Sequence, residues 1–250
     1  MSSLTVSIIV FACVFGGAVA GIFVSSRLPS HHVTSETKDV VRLGMGLVAT
    51  TVAIALGLLI ASAKSYYDTQ SAEVTQLAAN VVLLDRILVH YGPETQEARA
   101  NLRNSLAHAV DFISATGANN VQFPLGGENA EGLLDQIQEL SPKNDAQRSL
   151  QTQALALAVQ TGQIRWLMFA QKNVSVPMPL LEIMVFWLTI LFISFGLFAP
   201  PNATVVASLF ISALAVSAAI FLILEMYQPY SGLIRVSVAP LRAALLQLAR

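Results

Sequence analysis

The sequence predicts an all-α integral membrane protein with four transmembrane helices and an extramembrane helical bundle between spans 2 and 3. The first observation is that only 12% of the 250 residues are charged, whereas soluble domains carry about 25%. The second is that whole stretches lack charge: Met1–Ser26, Leu43–Ala63 and Ile183–Leu224 contain none. The third is a helical repeat of apolar residues in the segment between the last two stretches.

An uncharged apolar run of about 20 residues can cross a bilayer as a helix. The third stretch is about twice that length, and Pro200-Pro201 interrupts it where a tight turn is expected. No basic residue precedes Arg27, as a signal peptide would require, so the first span is expected to be retained. The four predicted spans are Leu4–Val24, Leu43–Ala63, Leu180–Ala199 and Ala203–Leu224.

Four spans place both termini and the segment Lys64–Pro179 on one side of the membrane. Basic residues near span ends favour the cytoplasmic side, and here they are nearly balanced between the two sides. We expect a multi-pass protein of the cell inner membrane, in contact with the lipid bilayer, with the termini and the helical domain in the cytoplasm.

The middle segment predicts three helices that each carry a narrow apolar seam. No helix breaker separates the first seam from the second span, so the two are expected to form one long helix. Gly92 and Pro93 suit the end of that helix and the start of the next. The seams consist of Val74, Leu77, Val81, Leu84, Leu88 and Tyr91, then Ala98, Leu102, Leu106, Ala109 and Ile113, then Leu150, Ala154, Leu157, Thr161, Ile164 and Met168.

Shorter elements complete the predicted organisation. A loop over Thr116–Gly127 precedes a short helix at Ala130–Leu140, and Ser141 with Pro142 predicts the N-terminus of the next helix. The chain ends in an amphipathic helix over Pro240–Arg250. The predicted domains are 1–63 with spans 1 and 2, 64–179 as the helical domain, 180–227 with spans 3 and 4, and 228–250 as an extended segment followed by that helix.

Asp85 and Arg86 are adjacent charges beside the first seam. Adjacent residues on a helix do not face each other, so these two are expected to pair with other elements. We interpret Asp85, Arg86, Tyr91 and Glu225 as structural ion-pair or interface residues, and a ligand site at Asp85 and Arg86 is the alternative.

No motif of an enzyme is present: the chain has no phosphate-binding loop and no nucleophile or zinc-protease signature, and no cofactor is expected. Cys13 is the only cysteine, which excludes an intrachain disulfide or a metal-thiolate cluster. His31 and His32 could bind a metal with Glu36 and Asp39, but Ser35, Glu36 and Asp39 suit a helix cap and its first turn better. We therefore expect no metal. His31, His32, Lys38 and Arg42 are candidates for contact with lipid headgroups or with anions at a pore mouth.

The only charged residues at the spans are Glu182 and Glu225, which lie at span ends, and the absence of charge inside the spans argues against a proton-coupled transporter. A passive channel can select ions with hydroxyls, backbone dipoles or apolar constrictions instead. The small residues of the second span are pore-lining candidates, although helix packing explains small residues equally well; Gly17 and Gly21 of the first span form such a packing motif. The pore-lining candidates are Gly46, Thr50, Thr51, Ala53 and Gly57.

Three segments resemble the bacterial bestrophin-like domain family, a membrane family of unknown function. They are LPSHHVTSETKDVVRLGMGLVATTVAIALGLLIASAKSYYD, LLDRILVHYGPETQEARANL and LILEMYQPYSGLIRVSVAPLRAAL. The resemblance implies kinship with bestrophins, which are oligomeric, four-span anion channels with a large cytosolic helical region. The matching motif residues are His32, Lys38, Asp85, Arg86, Tyr91, Gly92, Pro93, Glu94, Pro229 and Gly232.

One position departs from the family pattern, which places an aspartate just before the proline that corresponds to Pro229. This chain has Tyr227 there and an acid only at Glu225.

Two functions remain open from the sequence. The resemblance implies a homo-oligomeric passive channel for inorganic anions, with the second span lining the pore. The alternative is a non-conducting scaffold or sensor whose helical domain binds a partner. The net charge of −1 gives no indication of nucleic-acid binding.

Overall fold

The described part of the computed structural model, residues 2–27, 35–115, 128–171 and 176–249, is built from α-helices and one short 3₁₀ turn. The helices are α1 (Ser3–Ser25), α2 (Ser35–Tyr91), α3 (Gln96–Ala115), α4 (Glu128–Gln138), α5 (Asp145–Ala170), α6 (Met178–Phe198), α7 (Ala203–Met226) and α8 (Ala239–Leu248). Four of them, α1, α2, α6 and α7, are long and apolar enough to cross a membrane. The predicted all-α class and the four membrane-length helices are therefore confirmed.

Helix α2 contains the second span and the first seam in 57 uninterrupted residues, a length of about 85 Å at 1.5 Å per residue. The prediction of one continuous helix is confirmed. The sequence explains it, because no proline occurs between the N-terminus of α2 and the corner at Gly92.

The described chain separates into two units. Unit 1 comprises Met1–Tyr66 and Ser175–Tyr227, and unit 2 comprises Tyr67–Val174 and Gln228–Arg250. The domain boundaries predicted from the sequence, at residues 63, 179 and 227, remain predictions.

In unit 1, α1 packs closely against α6 because glycines face each other across the contact. A Cβ atom added at Gly21 would lie 2.2 Å from the carbonyl oxygen of Ile193, and one added at Gly196 would lie 2.1 Å from that of Ala18. Only glycine permits this separation of the two backbones. Phe11 and Phe15 of α1 pack edge-on against Phe210 of α7, with ring centroids 5.4 and 5.3 Å away.

In unit 2, the predicted seams form the hydrophobic core. All six residues of the first seam are buried, as are Ala98, Leu102 and Leu106 of the second seam and Ala154, Leu157, Thr161 and Met168 of the third. Helix α8 adds Leu241, Ala244 and Leu248 to the same cluster. Ile113 of the second seam lies among the side chains that the structure leaves undescribed.

The corner after α2 depends on Gly92, whose φ of +139° is a backbone conformation that disfavours a side chain. Gly92 and Leu88 also supply carbonyl oxygens to the hydroxyl of Thr95, at 2.8 and 2.7 Å. Each of these carbonyls also accepts a backbone N–H, Leu88 from Gly92 and Gly92 from Thr95, so the hydroxyl of Thr95 adds a second bond to each at the corner.

The prediction for the start of α5 was wrong. Ser141 and Pro142 lie before the helix, and Asn144 is its N-cap, where the side-chain oxygen accepts the backbone N–H of Gln147 at 2.8 Å. Asparagine and serine cap helices about equally well, so the residue types alone do not distinguish the two positions.

Candidate pore-lining face of helix α2

Between residues 39 and 64, α2 presents three distinct faces. One is buried in unit 1 through Val52, Leu59 and Ala63. The second carries large apolar side chains that the chain leaves exposed. Its members are Val40, Leu43, Leu47, Ile54 and Leu58, which are 60–78% exposed.

The third face carries small side chains and is also exposed. Gly46, Thr50, Ala53 and Gly57 fall within an arc of about 60° on a helix of 3.6 residues per turn, and all four are exposed. Nothing lies within 4 Å of a Cβ atom added at Gly46 or Gly57. We call these four residues the small face of α2.

Thr51 is exposed as well, but it lies about 140° round the helix from Gly46. If the other four candidates point towards a pore axis, Thr51 therefore points away from it.

The hydroxyls of this region bond back to the helix itself. Thr50 Oγ1 donates to the carbonyl of Gly46 at 2.9 Å, and Thr51 Oγ1 donates to that of Leu47 at 3.0 Å. With their protons directed at the backbone, these hydroxyls present lone pairs outward rather than hydrogen-bond donors. The small face is thus neutral, and any charge preference must come from its ends.

Charged residues lie on α2 before the small face. Arg42 Nη1 is 3.7 Å from Asp39 Oδ1, and both side chains are about 70% exposed, so their mutual attraction is weak. Lys38 is half-buried. The predicted mouth residues His31 and His32 lie outside the described residues.

The remaining candidates lie at two other places. In unit 2, Asp85 is buried and its Oδ1 accepts the Nε of Arg99 at 2.7 Å, which joins α2 to α3. Arg86 is exposed. In unit 1, Glu225 is buried near the end of α7.

Tyr91 is buried at the corner, and burial, together with the negative charge of Glu94, raises the pKa of its phenol. Lys143 Nζ lies 2.6 Å from Glu94 Oε1, and this hydrogen bond lowers the pKa of Glu94 and raises that of Lys143. Gln147 Nε2 donates to the carbonyl of Tyr91 at 2.9 Å. These bonds give the motif around Glu94 a structural role.

Arg99 and Lys143 are the partners that sequence reasoning missed. They lie 14 and 49 residues from the acids they contact. Helical periodicity relates residues three or four apart, so no local pattern identifies these pairs.

Tyr227, which stands where the family pattern has an aspartate, packs within unit 1. Its ring stacks on that of Tyr66 with centroids 5.3 Å apart, and its hydroxyl lies 3.2 Å from that of Ser62. Within the described residues, no group of three His, Cys, Asp or Glu side chains could hold a metal ion.

Comparison with known proteins is consistent with this architecture. The sequence-family model named bestrophin-like domain matches residues 12–241 of this chain. A bacterial bestrophin homologue from Klebsiella pneumoniae, solved as a point mutant, is similar in fold, with a TM-score of 0.62 at 14% identity over 97% of both chains. No curated protein sequence matches the chain. The family match covers most of the chain, and the protein therefore belongs to the bestrophin-like family.

Proposed function

We propose that this protein is a homo-oligomeric passive channel for small inorganic anions, in which the small face of α2 from each copy lines the pore. The observation that carries the proposal is an accessible, uncharged face of small residues along a membrane-length helix, in a chain of the bestrophin-like family. Membership supports it because bestrophins are ion channels.

The exposure of α2 supports assembly. Only 11% of the most apolar 18-residue stretch of α2 is buried inside the chain, whereas the corresponding share is 33% for α1 and α6 and 22% for α7. The small face of one chain is too narrow to enclose a water-filled path, whereas copies arranged around an axis could do so. The large apolar face would then contact lipid or a neighbouring copy.

The neutrality of the small face supports passive conduction. No carboxylate lies between Leu43 and Ala63 that would hold a cation or relay a proton. Anion preference would arise at the mouth, for which Lys38 and Arg42 supply basic groups near the start of α2. We propose that the protein lies in the inner membrane, with the extramembrane helical domain and both termini on the cytoplasmic side.

The test is chloride efflux from liposomes that contain the purified wild type, Gly57→Leu or Gly44→Leu. Nothing lies within 4 Å of a Cβ atom added at either glycine, so a single chain should accept both changes. Gly44 lies about 140° round the helix from Gly57, outside the small face. We expect chloride efflux from liposomes with the wild type or Gly44→Leu and none from those with Gly57→Leu. On size exclusion, Gly57→Leu should elute as the same oligomer as the wild type.

Equal flux in the two leucine variants would contradict the placement of the pore. If the wild type shows no conductance at any voltage or pH, or elutes only as monomers, the channel proposal is overturned and the non-conducting scaffold or sensor is favoured.

A further inference from the structure

Within unit 2, helix α5 runs alongside α2 in the opposite direction, and hydrogen bonds at both ends fix which residues lie at the same height. Gln70 Nε2 on α2 donates to Oε1 of Gln171, the residue that follows α5. At the far end, Gln147 Nε2 on α5 donates to the carbonyl of Tyr91 at 2.9 Å. Interpolation between these two bonds places Ala72 at about the height of Phe169 and Ala79 at about that of Gly162.

Helix α5 carries a row of mainly apolar residues on a side that does not enter the core of unit 2. Trp166 is 63% exposed, whereas Met168 is buried and lies about 160° from Trp166 round the helix. The ring of Trp166 contacts that of Phe169, with centroids 5.5 Å apart. We call the following residues, spaced three or four apart, the outer row of α5: Leu155, Val159, Gly162, Trp166 and Phe169.

This outer row is accessible along most of its length. Leu155 is half-buried, and the other four members are exposed. Nothing lies within 4 Å of a Cβ atom added at Gly162. The row is therefore open to contact with another surface.

At the same heights, α2 presents a row of smaller side chains. Four exposed residues fall within an arc of about 60° on α2, and we call them the outer row of α2: Ala72, Gln76, Ala79 and Leu83. Trp166 lies at a height between those of Ala72 and Ala79. A large side chain on one row thus lies level with a shallow part of the other, the size relation that knobs-into-holes packing requires.

Both rows lie in stretches without charge. Helix α5 has no charged residue between Arg148 and Arg165, and α2 has none between Glu73 and Asp85. By contrast, α3 of the same unit carries charged residues along most of its length: Glu97, Arg99, Arg103 and Asp111. Charged residues are depleted and aromatic residues are enriched at the centre of protein interfaces, which favours a protein partner for both rows.

We propose that the outer row of α5 packs against the outer row of α2 of a neighbouring copy, and that this contact, repeated from copy to copy, closes the ring of chains. It rests on the homo-oligomer of the proposed function but does not require ion conduction.

Symmetry explains why a second copy fits. Copies related by rotation about an axis normal to the membrane keep each residue at its own height. The side chain of Trp166 therefore meets the neighbour's outer row of α2 between Ala72 and Ala79. The contact joins two unlike surfaces, and such head-to-tail contacts are the ones that generate closed rings.

The size of the outer row of α5 fits one part of such an interface. Its members present roughly 300 Å² of apolar surface, a patch size that often marks an interaction site. A stable interface takes about 800 Å² from each partner. Other exposed surfaces, such as the large apolar face of α2, therefore have to contribute.

The test is crosslinking between two differently tagged copies of the full chain, co-expressed and kept in lipid nanodiscs, with Cys13→Ser in both. One copy carries Gly162→Cys and the other Ala79→Cys, and a short bifunctional maleimide is added. We expect a covalent dimer that contains both tags. Because the contact joins unlike surfaces, neither variant expressed alone should give a dimer.

Gln160→Cys is the matched control for Gly162→Cys. Gln160 is exposed, close to Gly162 in height and about 160° from it round α5, so its pairing with Ala79→Cys should give no dimer. Equal yields from the two pairs would overturn the proposal. Absence of the dimer in a protein that still elutes as an oligomer would also overturn it and leave the homo-oligomer intact, whereas elution only as monomers would remove the homo-oligomer itself.

A second measurement tests the energetic part of Trp166. Trp166→Ala should raise the dissociation constant of the oligomer at least about tenfold, as for a central interface residue, with an unchanged circular dichroism spectrum. Leu167→Ala removes another exposed apolar side chain, 49% exposed and about 100° from Trp166 round the helix, and should stay within about twofold of the wild type. Mass photometry of diluted protein compares the variants, and equal dissociation constants would contradict the contact.

Fluorescence identifies what covers Trp166. The chain has two tryptophans, so Trp187→Phe leaves Trp166 as the only one. In the oligomer we expect its emission to be shielded from both acrylamide and brominated lipids, and to become accessible to acrylamide when the oligomer dissociates. Quenching by brominated lipids would show that the bilayer covers the outer row of α5 and would overturn the proposal.

Discussion

At the scale of single residues, Asp85 shows how a charge is accommodated next to an apolar seam. Its side chain is 9% exposed, and Arg99, at 33%, remains in reach of water. A buried carboxylate is costly unless it is paired and hydrogen-bonded, and the bonds from Arg99 meet that requirement. Arg86, the adjacent residue of the motif, is exposed on another side of α2.

We therefore predict that Asp85→Asn lowers the free energy of unfolding by about 2 kcal/mol, the size of a hydrogen bond to a charged group. Arg86→Gln, one position away, should change it by less than about 0.5 kcal/mol, as is usual for exposed positions. Unfolding followed by circular dichroism in detergent measures both variants. A loss in Arg86→Gln equal to that in Asp85→Asn would contradict this assignment.

At the scale of helices, the closest packing in unit 1 lies between α1 and α6. The GxxxG motif of Gly17 and Gly21 was visible in the sequence, whereas the part played by Gly196 was not, because it depends on which helix lies opposite. Gly16, next to the motif, has nothing within 4 Å of an added Cβ atom. The motif therefore acts through one face of α1 only.

Gly196→Ala is expected to destabilise unit 1 by about 1–3 kcal/mol, the usual cost of overpacking, because its Cβ would overlap the backbone of Ala18. Gly16→Ala places the same methyl group in open space and should be neutral or slightly stabilising. Thermal unfolding in detergent compares the two variants. Equal melting temperatures would show that α1 and α6 do not pack as described.

The same scale shows what the sequence can predict and what it cannot. The four spans follow from missing charge and the seams from their spacing, since both signals are local. Local signals failed where two residues suited the same role, as Ser141 and Asn144 did for the start of α5. They also give no information on the hydrogen bonds of Gln70, which contacts residues 101 and 160 positions away.

At the scale of the whole molecule, the proposed channel has a neutral lining, so its ion preference depends on exposed charges at the mouth. Asp39 partly offsets Arg42 there. Asp39→Asn should increase chloride permeability relative to sodium by about two- to fivefold, and Arg42→Gln should decrease it by a similar factor. Both effects should shrink at high salt because exposed charges are screened.

Reversal potentials in planar bilayers measure this ratio. The control is Asp145→Asn, which breaks an exposed pair of the same i,i+3 spacing with Arg148 in unit 2. A permeability ratio that responds equally to Asp145→Asn and Asp39→Asn would contradict a mouth at Asp39 and Arg42.

The central claim, that the small face of α2 lines an ion path, is tested most directly by a cysteine scan in liposomes. The native Cys13 is first changed to serine, since it is the only cysteine. Single cysteines are then placed at 50, 53 and 57 on the small face and at 51, 54 and 58 on the other exposed side of α2. A negatively charged thiol reagent is predicted to stop chloride efflux at the first three positions and to leave it unchanged at the other three. Inhibition at 51, 54 and 58 instead, or at all six positions alike, would contradict the account.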